Sequence, residues 1–182
     1  PWTEDFQALG YIADGVTNEY NWKGTKIIEW DAETKEEIWT WNAFDYYSMD
    51  YYDHYQAAWD SRWDPMRSNY DWLHTNSLYF DPIESAIYVS QRHLSRITKI
   101  DYPSGDIIWN MGLPAEYGTG DDNICTDLLF SFQHHVRLLD NGHLTLFDNG
   151  NFSTTLFNQS ERTSRALEIK VIDDNECELI WE

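Results

Sequence analysis

Three segments of the chain share one pattern: an aspartate, a polar turn, and an apolar stretch that closes on a tryptophan eight residues after the aspartate. They run from Asp31 to Trp39, Asp101 to Trp109 and Asp173 to Trp181, so the tryptophans recur after 70 and then 72 residues. The turns read Asp-Ala-Glu-Thr-Lys, Asp-Tyr-Pro-Ser-Gly and Asp-Asp-Asn-Glu, residue types that bend a chain through local side-chain hydrogen bonds or a preset φ. The flanking residues, Ile107-Ile108-Trp109 and Leu179-Ile180-Trp181 among them, read as strands, and each segment is predicted to be a hairpin. A repeat this long exceeds most solenoid periods and suits an elaborated four-stranded propeller blade.

Two more strands lie between successive hairpins. Ser77 to Phe80, the turn Asp81-Pro82-Ile83-Glu84-Ser85, and Ala86 to Ser90 make one pair; Val136 to Leu139, the turn Asp140-Asn141-Gly142, and His143 to Phe147 make the other. Asn-Gly is a strong hairpin signal because both residues tolerate positive φ. Helical periodicity is confined to residues 51–59. The predicted fold class is all-β, a β-propeller rather than a sandwich because the units repeat. Residues 1–182 are read as one partial β-propeller domain, its units ending near Trp39, Trp109 and Trp181, with an aromatic-acidic insertion at about 42–70. That makes about two to three four-stranded blades where closed propellers use about four to eight. The chain is therefore expected to be a fragment of a longer one.

The formal net charge of −20 argues against nucleic acid, whose phosphates need a basic footprint. The acidity concentrates in residues 45–60 and 116–127. It reads as a solvated surface, with calcium at Asp121, Asp122 and Asp127 as a second reading that lacks regular EF-hand spacing. Of ten tryptophans and twelve tyrosines, Tyr46, Tyr47, Tyr51, Tyr52, Tyr55, Trp59 and Trp63 fall in the insertion. A packed loop is preferred there over a homo- or hetero-assembly surface or a stacking wall for a ligand. No stretch approaches the ~20 apolar residues that span a bilayer, so no membrane span is expected. Asn151-Phe152-Ser153 and Asn158-Gln159-Ser160 are N-glycosylation sequons at Asn151 and Asn158. With the acidic surface they point to a secreted, extracellular or lumenal protein, periplasmic if bacterial. Cys125 and Cys177 could then pair as a disulfide, or stand as free thiols.

The chemistry-bearing residues fall at matched points of the repeat. Along a strand containing His74, alternation puts Trp72, His74 and Asn76 on one face. Arg92 follows the next strand, where a hairpin returns it to His74. His134, preceded by Gln133, opens the matching strand of the next unit, whose return strand ends in Asp148-Asn149-Gly150. Imidazoles, an amide and a guanidinium together suit a tetrahedral oxyanion beside a nucleophile or proton carrier. A histidine on a strand is more often a satisfied structural residue than a catalyst, but two at matched positions with such neighbours redress the balance. Carboxylates at glycosidase spacing, a glycine-rich phosphate loop and a Cys/His zinc pattern are not found.

Six motifs in order resemble those of the arylsulfotransferase family: Asp71-Trp72-Leu73-His74-Thr75-Asn76-Ser77, Ser90-Gln91-Arg92-His93, Ile107-Ile108-Trp109-Asn110-Met111-Gly112, Phe132-Gln133-His134-His135-Val136-Arg137, Leu146-Phe147-Asp148-Asn149-Gly150 and Ser164-Arg165-Ala166-Leu167-Glu168. The resemblance covers residues 27–182 and implies a six-bladed β-propeller that moves a sulfuryl group from an aryl sulfate to a phenol without a cofactor. The transfer would be ping-pong, through a sulfohistidine. It implies His134 as the sulfurylated histidine, with His74, Asn76 and Arg92 holding the sulfate oxygens and Trp72 and Asn149 contacting substrate. The chain departs from the family pattern at Asp45-Tyr46, where Asp-His is common. Set against the enzyme are a secreted structural or adhesive propeller that keeps the fold without turnover, and a carbohydrate-binding propeller using exposed Trp and Tyr.

Overall fold

A computed structural model describes residues 21–47, 58–59, 69–114 and 122–182. Tyr51, Tyr52, Tyr55 and Trp63 of the insertion, and Asp121, lie outside them. Where helical periodicity is expected up to residue 59, Ala58–Trp59 form a short strand.

The described elements are almost wholly β. The hairpin β2 (Lys26–Trp30) and β3 (Glu37–Asn42) forms a two-stranded antiparallel sheet. A four-stranded antiparallel meander follows: β6 (Thr75–Asp81), β7 (Ala86–Gln91), β8 (Arg96–Asp101) and β9 (Ile107–Gly112). A second meander repeats it as β10 (His134–Leu138), β11 (Leu144–Asp148), β12 (Arg165–Ile172) and β13 (Glu176–Trp181). Beside these, β1 (Asn21–Lys23) pairs parallel with β5 (Asn69–Asp71), which pairs antiparallel with β4 (Ala58–Trp59). Among the described residues helix is limited to single turns, α1 (Ala43–Tyr46) and α2 (Ser153–Leu156), and the 3-10 turns Arg92–Leu94 and Thr126–Leu128.

The repeated hairpins are copies in detail. Asp31 donates its N–H to Glu36 O and accepts from Lys35 N, at 2.9 and 3.0 Å; Asp101 does the same with Asp106 and Gly105, at 2.9 and 2.9 Å. The third is tighter, with Asp173 and Asp174 both at positive φ. The tryptophans close the design. Trp39 Nε1 donates to Pro103 O at 2.7 Å, and Trp109 Nε1 donates to Asp174 Oδ1 at 2.6 Å. Each therefore ties the last strand of its own sheet to the turn of the next sheet's outer hairpin. This is why the tryptophan keeps its place in the repeat.

Burial follows the alternation of the middle sheet. Ile87, Val89 and Ile100 pack against Trp41, Ala43, Tyr47, Trp72, Leu73 and Leu94 on one face. On the other, Ala86, Tyr88, Ile97, Trp109 and Met111 pack against Val136, Leu144, Leu146, Leu167 and Ile169 of the following sheet. Every residue of β7 is buried, as expected of a strand covered on both faces. The first strands of the two meanders meet directly: Asn76 Nδ2 donates to Gln133 O at 2.8 Å and Val136 N to Ser77 Oγ at 2.9 Å. The ends of β6 and β10 that carry His74 and His134 are thereby brought into one neighbourhood.

Candidate active site

His74 does not lie on a regular strand. It precedes β6 with φ +46, left-handed backbone that a non-glycine residue adopts only when held there. Main-chain bonds hold it: Arg92 N donates to His74 O at 3.4 Å and His93 N to Leu73 O at 3.1 Å. The strict alternation expected for Trp72, His74 and Asn76 is broken here, and a register shift follows between Thr75 and Ser77. Trp72 consequently turns into the core. It is 1% exposed and packs against Phe44 and Tyr47 at centroid distances of 5.2 and 6.3 Å. Trp72, expected to contact substrate, is thus placed in the core among the described residues.

The half-exposed His74 side chain is backed by a buried carboxylate. Its Nδ1 lies 2.5 Å from Asp71 Oδ2. Burial raises the Asp71 carboxyl, but the hydrogen bond and charge of His74, with His93 and Lys23, outweigh it and hold the pKa below its usual value. His93, 1% exposed, tilts against His74 with centroids 4.6 Å apart and donates Nδ1–H to Asp71 O at 2.6 Å. Burial pushes the His93 pKa down to about 4, so its ring is neutral near pH 7. Its Nε2 has no hydrogen-bond partner among the described residues.

His134 opens β10 and is part-buried. Its Nδ1 lies 3.1 Å from Phe132 O and 3.2 Å from Asn149 Oδ1. Both are acceptors, so Nδ1 carries a hydrogen, and in the neutral form of the ring the lone pair sits on Nε2. Asn149, expected to contact substrate, places its Oδ1 against His134 Nδ1. Phe132 links the two halves: its ring lies 5.8 Å from that of His93, and the Arg92 guanidinium sits 4.4 Å over its face. Burial lowers the Arg92 pKa against the pull of Asp71, yet a guanidinium remains charged. Asn76 commits one N–H to Gln133 O, so it also fastens the two sheets at the site. Gln133 is fully buried, with Nε2 on Ser90 Oγ at 3.0 Å and Arg96 O at 2.8 Å, and anchors the strand start behind His134. Asp71, His93 and Phe132 are the participants that sequence reasoning did not assign. Proximity in sequence to His74, Arg92 and His134 was the available signal.

Asp71, His74 and His93 each bring one possible ligand atom within 4.8 Å of the others, the one such cluster among the described residues. These groups already bond one another, so a cation using the carboxylate would displace the His74–Asp71 hydrogen bond. Asp122 and Asp127 are exposed and outside that cluster. Cys125 and Cys177 form a disulfide with Cα atoms 5.5 Å apart, tying the turn ahead of Phe130 to β13. Asn158 and Ser160 are exposed, whereas Asn151 is half-buried and Ser153 is buried, its Oγ accepting from Thr163 N at 2.8 Å.

Imidazole, guanidinium and amide groups thus gather at one end of two adjoining sheets. Comparison with curated proteins returns no significant match. Comparison with protein families matches arylsulfotransferase (ASST) over residues 10–182, which takes in every residue of this site. The chain belongs to the arylsulfotransferase family.

Proposed function

We propose that this protein transfers a sulfuryl group from an aryl sulfate to a phenol in two steps, with His134 Nε2 as the nucleophile. The observation that carries the reading is the pinning of the His134 Nδ1 hydrogen between Phe132 O and Asn149 Oδ1, which leaves an unshared pair on Nε2. In the first step the N–S bond forms as the S–O bond to the donor phenol breaks. In the second, the acceptor oxygen attacks sulfur and His134 leaves. Arg92 supplies planar donors to the sulfuryl oxygens, where charge is densest in the transition state. The two four-stranded meanders are read as neighbouring blades of a six-bladed propeller with the site at its axis.

The disulfide and the exposed Asn158 sequon support a secreted or lumenal glycoprotein, with Asn158 the better placed of the two acceptors. The test uses the full chain with 4-nitrophenyl sulfate and a phenol acceptor. Without acceptor, mass spectrometry should find one SO₃ group on the peptide carrying His134. His134→Ala should abolish both nitrophenol release and transfer, because both half-reactions pass through one intermediate. Undiminished transfer in that variant would refute the assignment.

A further inference from the structure

The sulfuryl reaction leaves a proton to be handled, and the His74 neighbourhood is built in a way that oxyanion binding does not require. We propose that Asp71 and His93 position His74 as the proton carrier of both half-reactions, giving a proton to the departing phenolate and taking one from the incoming phenol. The inference rests on the sulfuryl-transfer reading above.

Three features carry it. The Asp71 carboxylate is 5% exposed and lies 2.5 Å behind His74 Nδ1, so it offsets charge forming on the ring and fixes Nδ1 as the hydrogen-bearing nitrogen. With Nδ1 committed inward on a half-exposed side chain, Nε2 is the nitrogen left to exchange protons with substrate. The strained turn at His74 is held on three sides by the segment carrying His93: His93 Nδ1 to Asp71 O at 2.6 Å, His93 N to Leu73 O at 3.1 Å and Arg92 N to His74 O at 3.4 Å. The tilted His93 ring is neutral near pH 7, so a proton arriving on His74 meets no charge on that ring across the 4.6 Å between centroids. Arg92 is a permanent donor to sulfuryl oxygens and cannot take up or release the proton.

The step balances. Charged His74 passes its Nε2 proton to the phenolate oxygen as the donor S–O bond breaks, and becomes neutral. In the second half-reaction the acceptor O–H proton moves to His74 Nε2 as the new O–S bond forms and the His134 N–S bond breaks. Both rings return to their starting states. Asp71 and His93 touch no reacting atom and act only through His74.

Leaving-group dependence separates this role from simple oxyanion binding. Phenol release is measured in the full chain with 4-nitrophenyl sulfate, whose phenolate leaves unaided, and with phenyl sulfate, whose phenolate needs a proton. Asp71→Asn and His74→Gln should slow phenyl sulfate by about 10²–10³-fold, the usual scale of a lost general acid, and 4-nitrophenyl sulfate by less than about tenfold. His93→Leu should show the same selective loss. His93→Asn, whose amide can donate to the same Asp71 carbonyl, should recover most of it. Equal losses on both donors would overturn the proposal while leaving His134 as nucleophile. His74 is half-exposed, so its variant reports even if Asp71→Asn is poorly folded by circular dichroism. A wild-type chain that turns over neither donor refutes the sulfuryl-transfer reading itself and this proposal with it.

Discussion

In the proposed reaction, what the Nδ1 hydrogen of each histidine meets divides the labour among three imidazoles. At His134 it meets a carbonyl and an amide oxygen, both neutral, and the free lone pair suits attack. At His74 it meets a carboxylate, a partner for a ring that gains and loses charge. At His93 it meets a main-chain carbonyl in the core, where burial pushes the pKa down to about 4 from 6.5. This last difference makes stability depend on pH. Between pH 6.5 and about 4 the unfolded chain binds a proton at His93 that the folded chain refuses. Unfolded protein then binds more protons, so stability rises with pH across that window and falls on acidification. Urea unfolding midpoints at pH 7.5 and pH 5, measured on wild type and His93→Asn, check this: the drop on acidification should be smaller in the variant. An identical drop would mean that His93 is charged in the fold.

Among the elements, turns decide how precisely strands deliver these side chains. Gly142 (φ +81) and Gly150 (φ +63) both sit in left-handed turns, yet an added Cβ meets nothing within 4 Å at Gly142 and lies 1.8 Å from Thr163 O at Gly150. Gly142→Ala should cost about 1–2 kcal/mol, the backbone penalty alone. Gly150→Ala should exceed about 4 kcal/mol, because the clash is with main chain that cannot rotate away. Since Asn149 precedes that glycine and holds His134, the larger loss should be accompanied by lost turnover. Denaturant midpoints of the two variants check the contrast, and similar costs would show the Thr163 segment to be free to move. Much of this level was legible in the sequence. The Asp101 to Trp109 hairpin, the Asn141-Gly142 turn and the start of β10 at His134 all follow from local turn chemistry and alternation. The Asp71–His74–His93 arrangement was not, because alternation has no term for a residue at φ +46. Nor does it register that His93 folds back onto a carbonyl 22 residues earlier. The shared face expected for Trp72 and Asn76 fails for the same reason: the bend at His74 separates the two.

At the scale of the whole molecule, specific polar links tie the described sheets to one another. Besides the tryptophan pins, the mostly buried Lys99 of β8 reaches Glu84 at 2.8 Å and Asp174 of the next sheet at 3.0 Å. It is one of only 12 Lys and Arg residues set against 32 Asp and Glu, a balance that makes the long-range field of the protein negative. That field has a consequence for the proposed reaction, whose donor is an anion and whose acceptor is a neutral phenol. The donor must cross a repulsive potential before reaching Arg92, whereas the acceptor feels none. Salt shortens the reach of the field, the Debye length falling from about 30 Å at 0.01 M to about 10 Å at 0.1 M. Raising ionic strength over that range should therefore increase kcat/KM for the aryl sulfate while leaving that for the phenol nearly level. This is the reverse of what an electropositive, steering site produces. Initial rates with each substrate varied against a saturating partner, in sodium chloride, measure both constants. A donor kcat/KM that falls with salt would show that the potential around His134 and Arg92 is positive despite the net charge, and that the acidity lies on surfaces remote from substrate entry.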